Sequence, residues 1–223
     1  MSNFHALRVA VIISTLSLTL AACSPPGDST DSTAATNTSA TTTAPGARSP
    51  ENGSAESSAQ SPATVADTLE AHGLAGMDAV EMINHLDHLP VTERPTDMLA
   101  SVRHADLLIG VGTEEAILPL PQGQTYISIA PFAEQTHTCF YHSLTTCLGE
   151  LANEPISITL RDDNTGEILV DEDTTTYDNG FIGFWLPTGI EGTIDITHEG
   201  RSGSAEFSTT EEGATCVTTL QVA

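Results

Sequence analysis

Apolar positions recur along this chain in two rhythms. Met77, Val80, Ile83 and Leu86 are spaced by three, which places them on one face of a helix. Pro90 ends that helix, and a shorter one around Asp67–Ala71 stops at Gly73. Val91–Arg103 reads as a turn followed by a short helix or strand. After about residue 115 the rhythm changes to period two. Ile127 and Ile129 alternate with polar neighbours, as do Ile156, Ile158 and Leu160. Asp163-Asn164-Thr165-Gly166 is a hairpin signal ahead of Ile168–Val170, and Gly200-Arg201-Ser202-Gly203 reads as another turn. Phe181–Leu186, Ile194 with Ile196, Ala205 with Phe207, and Cys216–Val222 complete a set of short strands. The pattern predicts an α+β fold. A small N-terminal helical unit, residues 63–114, precedes an antiparallel β-rich, sandwich-like domain, residues 115–223.

Residues 1–62 follow neither rhythm. Arg8 followed by the short apolar run Val9–Leu20 reads as an export signal over residues 1–22, too short to be a membrane-spanning helix. It ends in Leu20-Ala21-Ala22-Cys23, which looks like the lipobox of bacterial lipoproteins, where the Cys is diacylated and becomes the new N-terminus. An ordinary cleaved signal with a chance Cys is the alternative. Residues 24–62 hold Ser, Thr, Ala, Pro and Gly but no Leu, Ile, Val or aromatic residue. With nothing to bury, they are expected to form a flexible tether spanning about 35 Å. The predicted location is the outer face of the cytoplasmic membrane, reached through a lipid anchor on Cys23.

Charge narrows the function classes. Among 223 residues there are 30 acidic and 6 basic ones, a formal net charge of −24. Every basic residue is arginine. Such a chain offers no broad cationic face, which excludes nucleic-acid binding and polybasic attachment to anionic lipid. Aromatic residues are only 4% of the chain, which suits one modest core rather than a large enzyme domain. No G-x-S-x-G, H-E-x-x-H or phosphate-binding glycine loop is present.

The cysteines carry the chemistry. With Cys23 consumed, Cys139, Cys147 and Cys216 remain, an odd number for an oxidising compartment. The string His137-Thr138-Cys139-Phe140-Tyr141-His142-Ser143-Leu144-Thr145-Thr146-Cys147 packs two thiols and two imidazoles into eleven residues. Along a helix the two cysteines would lie about 12 Å apart, and along a strand further, so they converge only if the segment folds back as a loop. Cys216 shares parity with Thr218, Leu220 and Val222, hence with the apolar face of the last strand. Tight C-x2-C zinc pairs are absent. Three thiolates, or two with an imidazole, suit a soft monovalent ion, with Cu(I) the common biological candidate. His137 and His142 complete the set, or help to bind Cu(II) before reduction. From spacing alone a plain Cys139–Cys147 disulfide, with Cys216 a buried inert thiol, stays open.

Other histidines are weaker signals. His85 and His88 share a helix face that reads as solvated, His72 falls near a helix C-terminus, and His104 and His198 are expected at the surface. Asp171-Glu172-Asp173 reads as a solvated strand edge, because the EF-hand spacing is missing.

The stretch Gln135–Leu151, with both cysteines and both histidines, resembles the signature of the CueP family of bacterial copper-binding proteins. So does Thr174–Pro187, and Glu93-Arg94-Pro95-Thr96-Asp97 and the late Cys216 also fit. The resemblance covers about residues 65–223. It implies copper binding outside the cytoplasm, in resistance or in supply to exported enzymes, with Cys139, Cys147 and Cys216 as the functional thiols. It also implies a small N-terminal unit able to mediate homodimerisation, a β-rich domain carrying the copper site, and Cu(II) reduction in some members. The better-known members look like soluble periplasmic proteins. A tethered form is expected to act as a local sink, or to hand copper to neighbours on the same membrane. Three functions follow: a lipoprotein that sequesters or delivers Cu(I), a thiol-based Cu(II) reductase, and a non-metal interaction module on a lipid tether.

Overall fold

The structure, a computed structural model, describes residues 63–223. The signal over residues 1–22, Cys23 and the tether lie outside the described residues. Among the described residues no helix is long and apolar enough to cross a membrane.

Two helices open the fold, each started by its own side chains. Helix α1 (Val65–Ala71) is capped by Thr64, whose hydroxyl accepts from the Asp67 N–H while the Asp67 carboxylate accepts from the Thr64 N–H. Helix α2 (Ala79–His88) repeats the device with Asp78 and Glu81. The buried stripe of α2 is Ala79, Met82, Ile83, Leu86 and Asp87, with Val80 only half-buried. This corrects the expected Met77–Val80–Ile83–Leu86 face. At 3.6 residues per turn, a stripe of constant direction alternates steps of three and four and so takes in Met82 and Asp87.

A 3-10 turn, Val91–Glu93, leads into strands that begin ahead of residue 115. Strands β1 (Leu99–Val102), β2 (Asp106–Val111) and β3 (Glu114–Pro119) form consecutive hairpins, followed by β4 (Gln124–Ile129) and the two-residue β5 (His142–Ser143). Then come β6 (Pro155–Asp162), β7 (Ile168–Thr175), β8 (Ile182–Pro187), β9 (Glu191–His198), β10 (Arg201–Ser208) and β11 (Cys216–Val217). They form three sheets, ordered β3-β2-β1-β5, β10-β9-β6-β7 and β11-β4-β8. Pairing is antiparallel except for β11 with β4, which is parallel.

Two strand expectations are corrected. The Gly200–Gly203 turn is the two-residue Glu199-Gly200, both at positive φ (49° and 79°), as tight hairpins require, and Arg201 already pairs with His198. The last strand is ladder-paired only at Cys216 and Val217, with one further parallel bridge between Phe132 and Gln221. Its alternating burial nevertheless continues, with Thr218, Leu220 and Val222 inward and Thr219 and Gln221 outward. Asp171, Glu172 and Asp173 are exposed on the edge strand β7, as expected.

Burial separates two cores. In one, Leu74 from the connection between the helices joins Met82, Ile83 and Leu86 of α2 on Ala100, Val102, Leu107 and Ile109 of β1 and β2. The other is sandwich-like: Ile127, Ile129 and Ile182 meet Ile158, Leu160, Ile194, Ile196 and Phe207. Strand β4 serves both, because alternation sends Tyr126 to the first core and Ile127 and Ile129 to the second. A small third cluster joins Ala130, Phe181 and Cys216, with Cys139 and Cys147 packed against it.

Candidate metal centre

The segment between β4 and β6 folds back on itself, and local hydrogen bonds show how. One oxygen of Glu150, Oε2, accepts from the consecutive N–H groups of Ala133, Glu134 and Gln135 at 2.8–3.0 Å, closing the base of the loop. Further on, the Phe140 carbonyl accepts from the N–H groups of Thr215 (2.9 Å) and Cys216 (3.1 Å), which lays Cys139 beside β11. His142 and Ser143 then pair with Val102 and Ser101 of β1. A tight turn follows: the Cys147 N–H donates to the Ser143 carbonyl at 3.1 Å, and the Ser143 N–H donates to Cys147 Sγ at 3.3 Å. The exit is pinned where Gly149 meets Gly180. A Cβ on Gly149 would lie 2.5 Å from the Gly180 carbonyl oxygen, so backbone meets backbone with no room for a side chain.

This folding brings together the sulfurs of Cys139, Cys147 and Cys216 and one ring nitrogen of His137, all within 4.8 Å of one another. Cys139 and Cys147 lie 3.6 Å apart and unbonded, and all three cysteines are free. The plain-disulfide alternative is therefore not what the structure holds. Cys139 and Cys147 are half-buried, Cys216 is buried, and His137 is exposed. His142 does not belong to that group of four. Fully buried, it sits behind the cluster with Nδ1 3.9 Å from Cys216 Sγ and its ring centroid 4.5 Å from that of Phe181.

Behind His142 lies a residue that periodicity passed over. Asp87, with no exposed surface, accepts at Oδ1 from His142 Nε2 (3.0 Å) and Asn179 Nδ2 (2.9 Å). At Oδ2 it accepts from the Tyr126 hydroxyl (2.7 Å) and the Ser128 hydroxyl (3.2 Å). Arg94, also buried, lies 3.6 Å from Oδ1 and donates through Nη1 to the Cys147 carbonyl at 3.1 Å. The signal for Asp87 was present: it falls four residues after Ile83, on the apolar stripe of α2, where a carboxylate is out of place unless it is paired. Asn179 and Arg94 fall in stretches that resemble the CueP family, but neither spacing nor periodicity singles them out.

The electrostatics follow from these contacts. Burial alone would raise the Asp87 carboxyl, but the charge of His142 and the hydrogen bonds from His142, Tyr126 and Asn179 outweigh it and hold the pKa at about 2. Burial alone would lower His142, but the Asp87 charge and hydrogen bond raise it to about 9. Among the thiols, Cys147 is pulled far below the ordinary range. The Cys216 thiol bonded to it contributes most; burial opposes, and His142 and the Ser143 N–H add to the pull. Cys216 is pushed up by its hydrogen bond to Cys147 and by burial, and Cys139 is pushed up chiefly by burial. Three sulfurs thus share one small space, with the His142 ring and the Arg94 guanidinium on the interior side. Three sulfurs and an imidazole at this spacing are a donor set for a soft metal ion.

The other histidines do no such work. His85 and His88 are exposed, and the His88 ring lies 4.1 Å from that of Tyr177. His72 caps the C-terminus of α1 and pairs with Asp97 at 2.7 Å. His104 is half-buried. His198, expected at the surface, is buried, with Nδ1 3.0 Å from the Pro155 carbonyl oxygen, because it shares the inward parity of Ile194 and Ile196.

An α+β scaffold that brings three free thiols and an exposed imidazole together presents a possible metal site built on sulfur. The family described as "Periplasmic copper-binding protein CueP" matches residues 81–221, so the chain belongs to the CueP family. Among solved structures it is similar to a crystal structure of S.CueP, with 34% sequence identity and a TM-score of 0.66, covering 71% of this chain and 96% of that one. None of the curated proteins matches.

Proposed function

We propose that this chain is an exported copper-binding protein that holds Cu(I) through Cys139, Cys147 and Cys216. His137 closes the site from the solvent side, and His142 backs Cys216 from the interior. The observation that carries this reading is the meeting of three free sulfurs from two distant segments within 4.8 Å, in a chain of a periplasmic copper-binding family. Thiolates prefer the soft cuprous ion, and a metal that replaces thiol protons offsets the cost of crowding sulfurs together. The net charge of −24 raises the local concentration of cations around the module. Cys23, after Leu20-Ala21-Ala22, carries the lipid in this reading, so the module works as a sink or a short-range donor at the outer face of the membrane. A recipient would be an exported copper enzyme within reach of the tether.

The deciding experiment is anaerobic titration of the reduced protein with Cu(I) against a competing chelator, beside each cysteine-to-serine variant. Tight binding that weakens in all three variants is expected. Wild-type affinity in Cys216→Ser would reduce the site to two thiols. The lipid is tested by mass spectrometry of the N-terminal peptide from membranes, which should carry a diacylglyceryl group on Cys23.

A second reading has its own observation: Cys139 and Cys147 lie 3.6 Å apart, near enough to join with little movement. Two Cu(II) would each take one electron, the two thiols would lose their protons and form one disulfide, and two Cu(I) would result. Cuprous ion trapped by a chromophoric chelator, at two per disulfide, supports this reading. Intact thiols with no Cu(I) above buffer remove it.

A further inference from the structure

Asp87 reaches no sulfur, yet it holds the ring that does. We propose that Asp87 is a positioning residue for the thiol site, fixing the His142 ring so that Nδ1 faces Cys216. The inference rests on the copper reading above and extends it to a residue on α2, outside the cysteine loop.

An imidazole has two nitrogens on opposite edges, so anchoring one aims the other. Here Asp87 Oδ1 anchors Nε2 at 3.0 Å, and Nδ1 is left 3.9 Å from Cys216 Sγ. The ring cannot swing away. Phe181 covers one face at 4.5 Å, and the His142 N–H donates to Thr215 Oγ1 at 3.0 Å, one residue before Cys216. Asp87 in turn is anchored by hydrogen bonds from Tyr126 and Ser128 of β4 and from Asn179 in the turn ahead of β8. All of these neighbours can donate, so the centre of the network must be a group that only accepts, and an ionised carboxylate is such a group. A carboxylate that receives a histidine N–H is how metal sites fix the ring orientation of the imidazoles around them. The geometry gives Cys216 a fixed polar neighbour on its interior side, while Cys139 and Cys147 sit on a solvent-facing loop.

The test is Cu(I) affinity of the full, reduced chain under anaerobic chelator competition, in Asp87→Asn, His142→Gln and the double variant. Asp87→Asn should bind about 10–100-fold more weakly, the range for outer partners of metal sites. The double variant should be no weaker than His142→Gln alone, because one residue acts through the other. Asn84→Ala is the control. Asn84 accepts from Trp185 Nε1 and so ties α2 to β8, away from the sulfurs. It should keep wild-type affinity. An independent readout is the His142 ring by nitrogen-edited NMR of the wild type, which should show a protonated, slowly exchanging Nε2 before copper is added.

Wild-type affinity in Asp87→Asn would overturn the proposal while leaving the copper reading intact. So would losses that simply multiply in the double variant, or an Asn84→Ala loss as large as that of Asp87→Asn. A His142 ring without a protected Nε2–H overturns it even where a variant fails to fold. A wild type that binds no Cu(I) sinks both readings together.

Discussion

The rim and the floor of the thiol site are built on different plans. The rim is a single stretch of chain, His137–Cys147, with His137, Phe140 and Tyr141 exposed and two sulfurs half-buried. The floor gathers Asp87 from α2, Asn179 from the turn before β8 and Cys216 from β11 around His142, which the rim stretch itself sends inward, all buried. Rim contacts are mostly local hydrogen bonds that water can replace. Floor contacts lie in a low-dielectric interior where an unmade bond is costly. On the copper reading the two parts have different roles: the rim receives the ion and the floor fixes its position. The contrast can be broken or sharpened by substitution.

The largest expected effect is on the floor. Asp87→Ala leaves His142, Arg94, Tyr126 and Asn179 facing a void, and removing one member of a buried charged network costs about 3–5 kcal/mol. Urea unfolding of the copper-free protein measures it. A loss under about 1 kcal/mol, within the range of an ordinary surface change, would mean that water or a shifted side chain replaces the carboxylate and that the floor is not rigid.

Next come the cysteines, where rim and floor should part company in stability but not in affinity. Cys216→Ser should weaken Cu(I) binding by more than about 100-fold, beyond the range for outer partners, because it removes a ligand rather than a supporter. It should also lower stability, because the thiol is buried against Phe181 and Ala130. Cys139→Ser should weaken binding comparably yet leave stability within about 0.5 kcal/mol, because its side chain is half-exposed on the loop. Chelator competition and denaturant melts on the same two proteins separate the effects. Equal stability losses would erase the distinction between rim and floor.

The same contrast explains what could be read from the chain alone. The rim was legible because its chemistry is contiguous: two thiols and two histidines in eleven residues have to be reconciled by a loop. Cys216 was placed by parity, since alternation with Leu220 and Val222 turns it inward. The β-rich half was legible for the same reason; His198 shares the inward parity of Ile196, but its polarity masks it. Asp87 was hidden by a spacing of three imposed on a helix that turns every 3.6 residues. Asn179 and Arg94 fall in stretches that resemble the CueP family, but their place beside Asp87 depends on where other segments end, which local patterns do not encode. Strand β2 was obscured because Leu107, Leu108 and Ile109 form a continuous apolar run, buried on both faces, without the alternation that marks a half-exposed strand.

Acid sharpens the comparison by titrating the floor. The folded-state pKa of Asp87, about 2, lies below its ordinary value of 3.8. Its contribution to stability is therefore complete above about pH 4 and is lost as pH falls through 2. The shift corresponds to about 2 kcal/mol. Other carboxylates held low, at Glu150, Asp162 and Asp178, lose their own contributions over the same acid range, so the quantity to follow is the difference between wild type and Asp87→Asn. Denaturant melts from pH 5 to pH 2 should show that difference flat at first and then shrinking. A difference that stays constant down to pH 2 would mean that the carboxylate gains nothing from its donors.

The smallest effect is expected at His137, the exposed member of the donor set. Its ring meets Phe181 only edge-on, with centroids 6.4 Å apart, so His137→Ala should leave stability within about 0.5 kcal/mol. Affinity should fall by less than about tenfold, below the usual range even for outer partners. The reason is entropic as much as chemical: an exposed side chain must be immobilised to bind, whereas the buried sulfur of Cys216 is already in place. Three sulfurs also satisfy a soft monovalent ion without a fourth donor. The informative result is therefore in the rates. If His137 serves the rim, its loss should change how fast copper leaves for a chelator more than it changes the equilibrium. An affinity loss rivalling that of Cys216→Ser would instead move the imidazole into the inner set of ligands and make the rim as much a part of the preformed site as the floor.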